Sequence, residues 1–199
     1  MGRQKVEVRR EEILAATVHE IESSGMASLR VADVASTLGV SSGLVFYHFD
    51  TKDALLVAAL EFAVDRDLAR LDKALAKGST PTEQLARILK SYGPTGSAPG
   101  WTIWIDAFAT ALREPTIRRS LRLMDKRWCS ALQSAIEAGV DTGDFTCVDP
   151  AAAVARIGAL LDGLTIAVLV YGTVTRAQLK TWVREATANE IGVPPSTFA

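Results

Sequence analysis

Apolar side chains recur along most of this chain at spacings of three and four, and the strict alternation of a half-buried strand is almost absent, so the pattern predicts an all-α protein. The first stripe, Ile13, Ala16, Val18 and Ile21, lies within a helix expected over 9–24 and ended by Gly25. Ser28 is a candidate N-cap for a second helix over 29–38, which Gly39 closes, and Ser41 is a candidate cap for a short third one through His48. Thr51 opens a long helix that Gly78 stops, and Pro81 marks the start of the next, running to about Tyr92. The stretch 93–100, GPTGSAPG, is a loop by composition. Further helices are expected over 101–113, from Pro115 to about Ala138, over 151–171 and over 176–189, with VPPSTFA as a frayed tail. The helix over 151–171 is apolar nearly all round, which predicts burial on several sides. About nine helices result: three short ones, a long connector, then about five more.

The segment over 31–49, VADVASTLGVSSGLVFYHF, carries the chemistry. A helix-turn-helix crosses two helices steeply and so makes demands at fixed offsets. Ala35 is small at the expected crossing point, and Gly39 supplies a left-handed backbone at the turn. Val34, Leu38, Val40 and Val45 are apolar on the inner side. Ser41, Ser42, Tyr47 and His48 are polar or aromatic on the outer side, where a DNA groove would lie. The N-terminal residues of such a second helix are those that reach base edges in the major groove. Ala, Gly and apolar residues at these offsets also occur by chance in small helical pairs.

The flanking residues extend the pattern. Ser28, Val34-Ala35, Gly39-Val40-Ser41, Gly43, Phe46-Tyr47-His48-Phe49, Lys52 and Leu55-Leu56 together resemble the start of the TetR family of bacterial repressors. The match is dense over residues 9–60, and the remainder agrees in length, helix count and plan. GLVFYHFDTKDALL further resembles the branch that includes the choline-responsive BetI proteins. The resemblance implies a helix-turn-helix DNA-binding domain over 1–52 and a ligand-binding and dimerisation domain over 53–199. It also implies a homodimeric repressor that binds a palindromic operator in double-stranded DNA and is released by a small-molecule inducer.

Matched position by position, the resemblance places Ser28, Tyr47, His48 and Lys52 at phosphates, and Arg30, Ser42, Gly43 and Leu44 near base edges. Ser41 stands at the head of the same helix. Phe46 occupies a position where many members carry a phosphate-binding Tyr; lacking a hydroxyl, it is assigned to packing and its role to Tyr47. Leu44 replaces a common Thr and either reads a thymine methyl or fills space. His48 serves as a polar cap on the competing reading. Arg3 and Lys5 are either an arm along the DNA or a solvated tail.

A palindromic operator needs a second copy about 34 Å away. Leu160, Leu161, Leu164, Val168, Leu179, Trp182 and Val183, on the last two helices, are the candidate dimer interface, corresponding to the family's four-helix bundle across the two-fold axis. Part of this stripe must also serve the chain's own core. Phe62, Trp101, Trp104, Phe108, Met124 and Trp128 are candidate walls of a ligand pocket. With Asp106, set among apolar neighbours, they suit an organic cation through ring faces and ion pairing, or a hydrophobic inducer. On the competing reading the aromatics are core and Asp106 pairs with Arg113 or Arg118. Asp162, which interrupts the apolar helix, reads as a buried cap or hydrogen-bonding group rather than a ligand contact.

Composition adjusts this picture at two points. Net charge is −1, and residues 1–53 hold six Lys/Arg against eight Asp/Glu, so DNA binding rests on local placement, not on global basicity. Two cysteines, Cys129 and Cys147, lack the spacing of a metal site or a disulfide framework, and no cofactor or metal is expected. With two histidines and no GxSxG, HExxH, P-loop or GxGxxG segment, an enzyme is not expected either. The start lacks an apolar signal core, and the apolar run over 157–171 is about 15 residues, too short to span a bilayer, so a cytoplasmic location without a membrane partner is expected. The rival from another class is a helical adaptor that binds protein and merely retains the motif.

Overall fold

The computed structural model describes residues 2–92 and 101–198, with side chains from residue 9 onward; the arm proposed at Arg3 and Lys5 lies outside the described side chains. Among the described residues there are nine α-helices and no strand. They are α1 (Gly2–Ser24), α2 (Val31–Thr37), α3 (Ser42–His48), α4 (Lys52–Leu75), α5 (Pro81–Ser91), α6 (Trp101–Ala111), α7 (Pro115–Asp141), α8 (Pro150–Ile166) and α9 (Arg176–Ile191). The all-α expectation holds. Two compact units form, Met1–Asp67 with Gly100–Met124, and Leu68–Pro99 with Asp125–Ala199. The division follows packing and falls within α4 and α7, whereas the expected sequence boundary stood at 52/53.

In the first unit α1 packs on α2 and α6, and α2 on α3. The stripe expected on α1 is buried throughout: Ile13, Ala16, Val18 and Ile21 are each below one-tenth exposed. Leu29, Val34, Ala35, Val45, Leu55 and Ala59 complete the core around the short helices. Thr37 donates from Oγ1 to Glu20 Oε1 at 2.8 Å, pinning the end of α2 to α1. The cap of α2 differs from expectation. The helix begins at Val31, with Arg30 as an extended N-cap residue lacking a side-chain cap bond, so Ser28 does not cap it.

In the second unit α8 and α9 pack together, and α9 meets the closing 3-10 turn Pro195–Phe198, which also touches α5. Pro150 occupies the first turn of α8, and Asp149 Oδ1 accepts from Ala152 N at 2.9 Å, satisfying an end donor. Thr175 and Gln178 form a reciprocal capping box on α9. Between the helices, Ala153, Val154, Ile157, Leu161 and Leu164 face Leu179, Val183, Ala188 and Ile191 in a shared core. Arg156 clamps Glu190 with two bonds, one of them Nε to Oε1 at 2.6 Å.

Three expectations are corrected here. Residues 195–198 are not a frayed tail, because Phe198 is only 7% exposed and anchors the turn. The helix over 151–171 does not continue as one regular helix. Its last five residues, Ala167–Tyr171, widen into a π-turn that closes at the left-handed Gly172. Nor is it buried on several sides. Pro150–Tyr171 is long and apolar enough, at 22 residues, to cross a membrane, yet within the single chain only 33% of its most apolar 18-residue window, of mean hydropathy 1.9, is buried.

Candidate nucleic-acid interface and ligand-binding residues

The recognition helix is defined by what it leaves uncovered. Among its residues only Val45 is buried, at 1% exposure, so α3 meets the core through one anchor and presents its other sides outward. Its orientation is fixed by the turn before it. Gly39 adopts φ +63°, a conformation costly for any residue with a side chain, and Val40 N then donates to Ala35 O at 2.9 Å. Ala35 is 2% exposed, consistent with the small side chain expected where α2 and α3 cross. Ser41 caps α3 as expected, its Oγ accepting from Leu44 N at 3.3 Å.

On the outward side Ser41, Gly43 and Tyr47 are exposed, Tyr47 by 75%, while Ser42, Leu44 and His48 are half-buried. Ser28 and Arg30 are exposed at the head of α2, and Lys52 is half-buried as the first residue of α4. The expected DNA-facing residues therefore lie on α3 and on the starts of α2 and α4, and none is withdrawn into the core. Phe46, assigned to packing, is 43% exposed and adds an apolar edge to this surface. The His48 ring stacks edgewise on Tyr47 at 5.4 Å and also meets Phe49, which fixes its position. Arg10 lies 5.0 Å over the Phe49 ring, joining α1 to the end of α3.

The ligand candidates fare differently. Trp101 and Trp104 lie on the buried face of α6 with Ile103 and Ala107. Phe108 is 40% exposed, Met124 is half-buried, and half-buried Phe62 lies under the Arg66 guanidinium at 5.7 Å. Asp106 pairs with neither Arg113 nor Arg118. Its Oδ2 accepts from Met26 N at 2.8 Å, closing the turn after α1, and Arg118 instead bonds the Ala111 and Leu112 carbonyls. This role spans 80 positions, and no spacing rule anticipates it.

Trp128, buried in the second unit, keeps different company. Tyr92 packs edgewise on its ring with centroids 5.2 Å apart and donates its hydroxyl to Asp162 Oδ1 at 2.7 Å. Partial desolvation holds the Asp162 carboxyl above the usual carboxylate range; the Tyr92 bond opposes this, and the charge on Asp125 adds to it. Cys129 donates to Asp125 Oδ1 at 3.6 Å, and burial with the Asp125 charge pushes its thiol up to about 11. Both effects favour the protonated thiol over the thiolate. Tyr92 and Asp125 were missed by sequence reasoning; Asp162 is the hydrogen-bonding group expected, but it is exposed rather than buried. The Asp125 and Asp162 side chains are exposed, Tyr92 is half-buried and Trp128 is buried.

The expected interface residues divide. Leu161, Leu179 and Val183 are at most 2% exposed and Leu164 9%, so they serve the α8–α9 core of the chain itself. Leu160 and Val168 are half-buried, and Trp182 is 41% exposed. Exposed Val170 and Tyr171 extend the uncovered surface at the π-turn, although they had not been singled out.

Comparison with known proteins agrees with this arrangement. Residues 13–59 match the family model described as bacterial regulatory proteins, tetR family, and residues 81–192 match that of the BetI-type transcriptional repressor, C-terminal. The chain is 34% identical over 132 residues to the HTH-type transcriptional regulator BetI of Stenotrophomonas maltophilia, covering 63% of this chain and 65% of that protein. It is 30% identical over 166 residues to the BetI regulator of Burkholderia mallei, covering 79% of this chain and 80% of the other. Among solved structures it is similar to a transcriptional regulator from Saccharomonospora viridis in complex with choline. That match has a TM-score of 0.84 and 26% identity, covering 93% of this chain and 98% of that one. A TetR-family regulator from Rhodococcus sp. matches with a TM-score of 0.74 and 29% identity, covering 91% and 97% of the two chains. This chain is a member of the TetR family of DNA-binding transcriptional regulators, with a BetI-type repressor C-terminal region.

Proposed function

We propose that the protein represses transcription as a homodimer on a palindromic operator and leaves it when an organic cation binds. The observation that carries this reading is α3, a capped helix that buries Val45 alone and turns a serine-, glycine- and tyrosine-bearing surface outward. Such a surface fits a major groove, with Ser42, Gly43 and Leu44 at base edges and Ser28, Tyr47, His48 and Lys52 on phosphates.

The uncovered apolar side of α8, together with Trp182 of α9, supports pairing of two copies. A second copy suits this side better than lipid, because Arg156 and Asp162 interrupt the helix and Arg156 is tied to Glu190 of α9. The cation reading is supported by Asp162, Tyr92 and Trp128 and by the choline bound to the Saccharomonospora viridis regulator. Ligand shifts the balance only by its difference in affinity for the two conformers, and a tenfold loss of operator affinity needs about 1.4 kcal/mol.

The test combines light scattering with mobility shifts on DNA from upstream of the protein's own gene, titrated with choline. A dimer that shifts one fragment at low salt and releases it with choline is the expected result. A monomer, or a protein that shifts no fragment, refutes the proposal; a shift indifferent to choline refutes its cation part alone.

A further inference from the structure

A concavity lined by cations lies in the same unit as Asp162. It opens between α5, α9 and the closing 3-10 turn, with a volume of about 340 Å³. Leu89, Val183 and Phe198 are largely buried, and their outer edges make an apolar floor. Around them stand Lys90 of α5 and Lys180 and Arg184 of α9, all exposed, and among the described residues that line the space none is acidic. Lys180 and Arg184 are four residues apart and hence on one side of α9, a spacing at which like charges repel. Arg176 continues the series by another turn. Of the two acids of the same helix, Glu185 does not line the space and Glu190 is engaged by Arg156. Three exposed cations thus stand over a non-polar floor that Phe198 of the closing turn completes.

We propose that this concavity binds an amphipathic anion, a carboxylate or phosphate ester with a short apolar tail. Lys90, Lys180 and Arg184 hold the head, and Leu89, Val183 and Phe198 cover the tail. The volume lies at the lower end of the range for small-molecule pockets. A recess of this kind takes one free molecule, whereas a bilayer surface needs a flat or convex patch. The protein would then have two chemically opposite inputs, an organic cation near Asp162 and an organic anion at the end of α5.

Calorimetric titration of the full chain with sodium octanoate tests the site, with acetate, octanol and octyltrimethylammonium in parallel. Saturable octanoate binding is expected, at least tenfold tighter than acetate or octanol, with octyltrimethylammonium unable to displace it. The double variant Lys180→Gln/Arg184→Gln should weaken octanoate at least tenfold while keeping the wild-type melting temperature and choline affinity. Lys90→Gln, on the other helix, should weaken it about threefold. Octanoate that fails to saturate, or that binds both variants undiminished, overturns the proposal. So does sedimentation with phosphatidylglycerol vesicles in the absence of octanoate binding, which would assign the cations to a membrane surface.

Discussion

The helix-turn-helix and the surroundings of Asp162 are assembled by bonds of very different reach. In the first, Ser41 caps the amide of Leu44, Val40 N meets Ala35 O, and Gly39 makes the turn between them, all within ten residues. In the second, Tyr92 reaches Asp162 across 70 positions and packs on the ring of Trp128. The first is a local device whose geometry follows from the order of its residues. The second exists only once the end of α5, α7 and α8 have come together. A regulator built this way can vary what it senses by changing distant residues while its DNA-facing turn stays intact.

Substitutions that act on one region and spare the other test this contrast. The largest effect is expected from Ala35→Leu. Its position is 2% exposed, and overpacking such a site costs about 1–3 kcal/mol. Because the extra atoms enter between α2 and α3, operator affinity should fall more than hundredfold while choline binding is kept. Chemical denaturation, mobility shift and calorimetry read the three quantities separately; operator affinity within a fewfold of wild type would show that the crossing tolerates bulk.

Next is Asp162→Asn, which should lower affinity for choline at least tenfold, about 1.4 kcal/mol, and leave operator binding unchanged. The sign of its pH dependence follows from the raised Asp162 pKa. Only the ionised carboxylate attracts a permanent cation, so affinity falls as pH drops through that raised value. The loss begins at a higher pH than for an ordinary carboxylate, and the Asn variant should show a flat profile over the same range. Wild-type affinity that does not change with pH would remove Asp162 from the site.

What was legible in the sequence follows the same division by reach. The stripe on α1, the crossing at Ala35, the turn at Gly39 and the caps by Ser41 and Thr51 depend on neighbours at most a few positions away, and the structure forms them where expected. The start of α2 was misplaced because a serine before an apolar run looks the same whether or not its hydroxyl reaches the helix end. Asp106 stood out as a carboxylate among apolar residues, but its partner is a backbone amide, which no side-chain pattern reveals. Phe198 follows two prolines near the chain end and reads as tail until α5 and α9 are seen to receive it. The stripe on α8 and α9 was seen, but its division between core and uncovered surface depends on which residues face the same chain.

Asp106→Ala should cost less than the changes above. The residue is half-buried, and loss of its 2.8 Å bond to Met26 N should lower stability by about 1 kcal/mol in chemical denaturation. Choline affinity should not change. A tenfold loss of choline affinity would return Asp106 to the ligand-binding residues.

The smallest and most specific effect is expected at Lys52. As the first residue of α4 it sits at the positive end of the helix dipole, where a cation is unfavourable by a few tenths of a kcal/mol. A lysine kept for packing alone would gain nothing from that position. One that shares a phosphate with the helix N-terminus would offset the cost whenever DNA is bound. The two roles separate in Lys52→Ala. If Lys52 contacts phosphate, the slope of log affinity against log salt becomes shallower by about one for each lysine removed, about two per dimer, and the free protein is as stable as before or slightly more so. An unchanged slope with lower stability would assign Lys52 to packing and leave Ser28, Tyr47 and His48 as the phosphate contacts.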